Sequence, residues 1–191
     1  LINFSNNQFY DDTLNIFPSP STKPDNLGIK FKYIKDAVYI DRKNEREADE
    51  VVKAVIAHME NNIKESLLVA TMNTNQRELI QEKFNMAIEG NSKVQFYLNK
   101  WEKQNTDVFS IKNLENVQGD ERDVIFISFT YGKPPGVTKV MQGFGPINFP
   151  NGWRRLNVLY TRARKRIEAF SSMKASDIII DEERGTNKGR A

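Results

Sequence analysis

Two short runs of almost unbroken apolar residues limit most narrowly what this chain can fold into. Ser66-Leu67-Leu68-Val69-Ala70-Thr71 and Val124-Ile125-Phe126-Ile127-Ser128-Phe129 are of strand length and show little polar alternation. A strand with one face in water alternates; one covered on both faces does not. Covered faces of this kind mean a parallel sheet with helices on either side.

The neighbouring segments read accordingly. Gly28 to Tyr33 sets Ile29, Phe31 and Tyr33 against Lys30 and Lys32, which predicts a half-buried strand near an edge. Asn44 predicts a cap on a helix from Glu45 to about Asn62. Glu45 and Glu47 favour its N-terminus, and Ala48, Val51, Val52, Val55, Ile56 and Met59 form one apolar stripe. The lone His58, beside that stripe, reads as a solvated or capping residue, since no other ligands are spaced for a metal. Met72 to Asn75 reads as a loop and Gln76 to Ala87 as the next amphipathic helix. A short helix follows around Phe96 to Lys103, with Trp101 as a core anchor.

Phe109-Ser110-Ile111 opens a strand into the turn Gln118-Gly119, and Asp123 to Thr130 forms the next strand. Lys133 to Gly152 is rich in Pro and Gly and reads as a long loop. Its Gly143-Phe144-Gly145-Pro146 lacks the context of a phosphate cradle and is turn chemistry. Trp153 to Ala163 reads as a helix and Lys165 to Ser171 as a strand. Pro18, Pro20 and Pro24 make Ser19 to Asn26 a loop. Together these elements predict a three-layer α/β/α domain with a mainly parallel sheet and right-handed crossovers.

Composition sets the remaining bounds. A length of 191 residues suits one domain, and the net charge of +3 requires any basic surface to be local. No apolar run is long enough to span a membrane, and no signal-peptide pattern opens the chain. The absence of Cys excludes a disulfide framework and fits a reducing, cytoplasmic setting. The chain starts without Met on Leu1-Ile2-Asn3-Phe4, which reads as the end of a helix and as a segment cut from something longer.

Two blocks carry the chemistry. The first is Val117-Gln118-Gly119-Asp120-Glu121-Arg122-Asp123, directly before an apolar strand. The second is Trp153-Arg154-Arg155-Leu156-Asn157-Val158-Leu159-Tyr160-Thr161-Arg162-Ala163-Arg164. Their order and separation resemble motifs V and VI of superfamily 1 helicases, in the large, mostly bacterial subgroup with a VQGDERDVI block. The resemblance covers nearly the whole chain. It implies the second RecA-like domain of a two-domain, P-loop NTPase-type motor over residues 1–180, truncated at its N-terminal side, with 181–191 a tail or linker to a further domain. The arginine of motif IV would lie upstream of Leu1.

By this resemblance Arg162 is the arginine finger that reaches a γ-phosphate held by the first domain. Glu121 accepts a hydrogen bond from the ribose, and Gly119 lets the backbone approach the nucleotide. Gln118 orients the turn or relays state to the nucleic-acid side. Arg155 and Arg164 contact phosphates or hold the helix through ion pairs. ATP and Mg²⁺ would be bound mainly by the first domain, because the chain has no Gly-x-x-x-x-Gly-Lys-Ser/Thr and no Asp-Glu pair at the expected strand end. Single-stranded DNA or RNA is the implied partner, with Thr71, Asn73 and Asn75 as candidate backbone contacts. Two other classes stay open: a nucleotide-independent nucleic-acid-binding module and a degenerate scaffolding domain.

Overall fold

A computed structural model describes residues 1–16, 27–102 and 108–179, the side chains of 101 and 102 excepted. The Pro-rich loop expected at 19–26, Trp101 as a core anchor and the tail at 181–191 lie outside the described residues. Five strands, β1 (Gly28–Tyr33), β2 (Leu67–Thr71), β3 (Phe109–Asn113), β4 (Arg122–Ser128) and β5 (Ala163–Ser171), form one sheet in the order β1-β5-β4-β2-β3. Every pairing is parallel. This is the α/β architecture expected of a RecA-like, P-loop NTPase-type fold.

The apolar runs fall where they should, in the middle of the sheet. β2 is buried at all five positions and its side chains divide by parity. Leu67 and Val69 join one core, while Leu68 and Ala70 join the other. On the first face pack the stripe of α2 (Glu45–Asn61), together with Leu79, Ile80 and Phe84 of α3 (Thr74–Ala87) and Val94 and Tyr97 of α4 (Ser92–Glu102). The second face is covered by α5 (Trp153–Tyr160), against which α1 (Ile2–Phe9) packs, and by the 114–121 connection between β3 and β4. β1 and β3 form the two edges of the sheet, and β1 is largely exposed rather than half-buried.

Several boundaries differ from expectation for local reasons. Asn73 caps α3 by accepting from the Gln76 N–H at 2.8 Å, so Thr74 and Asn75 belong to the helix rather than to a loop. Helix α4 starts at Ser92, four residues early, where the Asn91 side chain accepts from the Val94 N–H. Helix α5 stops at Tyr160, so Arg162 lies in the turn beyond it and Ala163 already opens β5. His58 is buried, not solvated. Its Nε2 lies 3.2 Å from the Glu65 carbonyl, and burial first of all lowers its pKa.

β4 ends at Ser128, not Thr130, because Thr130 turns left-handed (φ +65) and the Tyr131 N–H bonds back to the Phe129 carbonyl at 2.6 Å. That tight turn rests on Glu47, which is wholly buried. Its Oε1 accepts from the Ser128 hydroxyl at 2.6 Å and from the Thr130 N–H at 2.7 Å. Gln76 locks the same region by bridging the Asn44 N–H and carbonyl, and Asn44 caps α2 as its sequence position predicts. The β2 and β4 carboxyl ends, from which crossovers leave to opposite faces, are thereby filled with hydrogen-bonded side chains.

Candidate functional site

The site is built at the amino-terminal ends of β4 and β5. Between β3 and β4 the chain crosses the sheet in only eight residues, 114–121, anchored in the second core by Leu114 and Val117. The Asp120 N–H then closes a turn onto the Val117 carbonyl at 3.2 Å. The turn requires φ +89 at its third residue, Gly119, a conformation that side-chain-bearing residues rarely adopt. From this turn the chain enters β4, where the Arg122 N–H donates to the Arg162 carbonyl at 3.1 Å. That bond brings the two sequence blocks together at one edge.

Of the four charges in Asp120-Glu121-Arg122-Asp123, three are used internally. Asp120 pairs with Lys112 at 2.8 Å and with the buried Arg122 at 3.5 Å. Asp123 accepts from the Ser66 N–H and hydroxyl and pairs with Lys165 at 3.3 Å. Burial alone would raise the Asp123 carboxyl, but the Ser66 donors and Lys165 outweigh it and hold it below its ordinary range. Only Glu121 points outward. Its Oε2 takes both the Nε and an Nη of Arg164, at 3.3 and 3.0 Å, and its Oε1 has no protein partner among the described residues. The clamping roles of Asp120 and Asp123 are not apparent in the sequence, where they read only as part of a charged block. A carboxylate directly beside a β-run is their one signal.

The basic residues after α5 differ in the same way. Lys165 and Arg166 pair with Glu65, Arg166 also with Glu168, and Arg164 with Glu121. Arg162 is half-buried and, among the described residues, its guanidinium has no hydrogen bond and no ion pair. Its Nε is out of solvent without an acceptor, an arrangement that costs about 1–3 kcal/mol unless something else supplies one.

The remaining candidates lie further off. Gln118 and Arg155 line a groove between the crossover and α5, and Arg155 makes one long hydrogen bond, 3.4 Å, to the Pro146 carbonyl. Thr71, Asn73 and Asn75 follow the carboxyl end of β2, across the sheet from Glu121 and Arg162, so one edge does not hold all of them. The Thr71 hydroxyl donates to the Asn73 carbonyl, and the Asn73 amide donates to the Arg42 carbonyl while its oxygen caps α3.

This geometry can be set beside known proteins. Residues 1–174 match the model of a family described as an AAA domain. The chain belongs to that AAA domain family. A curated relative of this AAA domain is the "Uncharacterized ATP-dependent helicase MG140" of Mycoplasma genitalium, 35% identical over 186 residues, or 93% of this chain. Its homolog from Mycoplasma pneumoniae is 35% identical over 184 residues, again 93% of this chain. The AAA domain spans about 15% of the length of either relative. Among its described residues no helix is long and apolar enough to cross a membrane, and no group of three His, Asp or Glu is placed to hold a metal ion.

Proposed function

We propose that this AAA domain is the second motor domain of an ATP-dependent superfamily 1 helicase or translocase of the VQGDERDVI subgroup, acting on single-stranded DNA or RNA. ATP and Mg²⁺ sit on a first RecA-like domain elsewhere in the same protein. Arg162 and Glu121 reach them across the domain interface.

The observation that carries this reading is the Arg162 guanidinium, held half-buried with no partner among the described residues, beside three paired cations. A planar, permanently charged fork without an acid needs an anion, and the transferring γ-phosphoryl is one. Neighbouring Glu121 leaves Oε1 open for a ribose hydroxyl while Arg164 holds its other oxygen in place. The relatives named as ATP-dependent helicases support the nucleotide.

Steady-state ATPase of the full-length protein with single-stranded DNA tests it. Arg162→Ala is expected to keep nucleotide binding while turnover falls by on the order of 10³–10⁵. Arg162→Lys is expected to restore little, because a point charge does not reproduce the bidentate fork. Near-normal turnover in Arg162→Ala would refute the assignment.

A further inference from the structure

The cover on the second face of the sheet stops one strand short of its edge. Ile29, Phe31 and Tyr33 of β1 stand in register with Ile167, Ala169 and Ser171 of β5, all three of them buried. The β1 side chains are themselves exposed, Phe31 by 60%. The backbone of this edge is open as well. The Ile34 N–H donates to the Ser171 carbonyl at 2.8 Å, so by strand alternation the N–H and carbonyl groups of Lys30 and Lys32 also face β5. Those of Ile29, Phe31 and Tyr33 face away from it, and none of them has a hydrogen bond among the described residues. Six residues with no bulge, no Pro and Gly only at the first position make a template of unpaired donors and acceptors.

The other face of the strand selects what can join it. Lys32 lies over the Phe170 ring at 5.3 Å and pairs with Glu50 at 3.3 Å. Lys30 is exposed and has no ion pair among the described residues. Its neighbour in register, Glu168, is held by Arg166 at 2.7 Å. Lys35 is exposed just beyond the strand, and the Lys174 ammonium sits 4.9 Å from the centre of the Tyr33 ring. Lysines on an edge repel strands of like charge. Two copies of this chain joined here about a twofold axis would set Lys30 and Lys32 of one beside those of the other, which disfavours a second copy. A strand with carboxylates on that face meets the opposite situation.

We infer that β1 takes up an extended, acidic segment of a partner protein as a further strand of the sheet. Alternate carboxylates of the segment lie beside Lys30 and Lys32, and its apolar side chains lie against Ile29, Phe31 and Tyr33. Main-chain hydrogen bonds to the outward groups of those three residues supply affinity, while the alternation of charge and apolar surface sets the register. The inference is independent of the helicase reading.

The test uses the full-length protein and a fluorescein-labelled peptide, Glu-Val-Glu-Val-Glu-Val-Glu, titrated by anisotropy at low and high salt beside its Lys-Val-Lys-Val-Lys-Val-Lys counterpart. Saturable binding of the acidic peptide alone, weaker at high salt, is expected. Lys30→Glu is expected to weaken it by about 10-fold at low salt and Phe31→Thr by about 5-fold, through lost cross-strand pairs at exposed positions. Lys30→Glu/Lys32→Glu is expected to bind the lysine peptide instead. Phe31→Pro removes an outward N–H, leaves the donors of the β5 ladder in place, and is expected to abolish binding. No saturable binding overturns the inference, whether the edge is closed by its lysines or by another part of the chain. Binding unchanged in Lys30→Glu and Phe31→Thr overturns it too, because the peptide then sits elsewhere. So does displacement of the peptide by dT15 with Lys30→Glu weakening both ligands alike, which would make the edge a nucleic-acid surface. A dimer in sedimentation that Phe31→Pro abolishes would assign the edge to a second copy and overturn it as well.

Discussion

Glu47 offers a quantitative test of the fold. It is completely buried, and burial pushes its carboxyl up to about 7 even though the Ser128 hydroxyl and the Thr130 and Ser172 N–H groups pull the other way. An unfolded glutamate titrates near its ordinary value of 4.5. The folded chain therefore binds this proton more tightly between the two values, and stability falls as pH rises through that window. The interval from 4.5 to about 7, at ~1.4 kcal/mol per tenfold change in proton affinity, corresponds to about 3 kcal/mol, fully present below pH 4.5 and lost above about pH 7. His58 works in the opposite direction near its own range, since its lowered pKa makes the fold gain stability as pH rises. The difference between wild type and Glu47→Gln removes that background. Urea midpoints between pH 4.5 and 8 are expected to show the wild type losing about 3 kcal/mol relative to Glu47→Gln across the interval. Parallel pH profiles would refute the reasoning, because Glu47 would then titrate alike in the folded and unfolded chain.

Two further outcomes are expected. Gly119→Ala meets no atom within 4 Å and so reports only the left-handed backbone; it should lower stability by about 1–2 kcal/mol, read from the urea midpoint. Asn73→Ala removes the α3 cap and should cost about 1 kcal/mol, while Asn73→Asp should retain most of it in the same assay.

The layers of the fold are legible because burial writes itself into composition: β2 and β4 are the two apolar runs, and α2 is the one clean stripe with an Asn in front. What is not legible depends on pairs distant in sequence. Tyr97 anchors α4 in the core, but only by donating its hydroxyl to the Glu65 carbonyl 32 residues away. Glu47 reads as a first-turn acid suited to the helix dipole, yet it stands one turn before Val51 on the buried stripe; its partners, Ser128 and Thr130, are more than 80 residues away. At the site, the residue types of both blocks are visible. Which charges face outward is decided by Lys112, Ser66 and Glu65, none of which belongs to either block.

The brevity of the 114–121 crossover makes it a ruler. Parallel strands are ordinarily joined by a dozen residues or more, usually including a helix. Here the path from Asn113 to Arg122 must descend six residues of strand, about 20 Å, and step sideways over β2 by two strand spacings, about 10 Å. The straight span is about 22 Å. One 3₁₀ turn at Leu114–Asn116 advances only ~2 Å per residue, leaving six steps of at most ~3.6 Å, and the Val117–Asp120 turn consumes part of those. The connection is almost taut. Removing one residue would drag Glu121 from Arg164 or pull Leu114 from the core, and adding one would let the Gly119 turn swing. The distance between carboxylate and arginine is thus set by chain length as much as by side-chain chemistry.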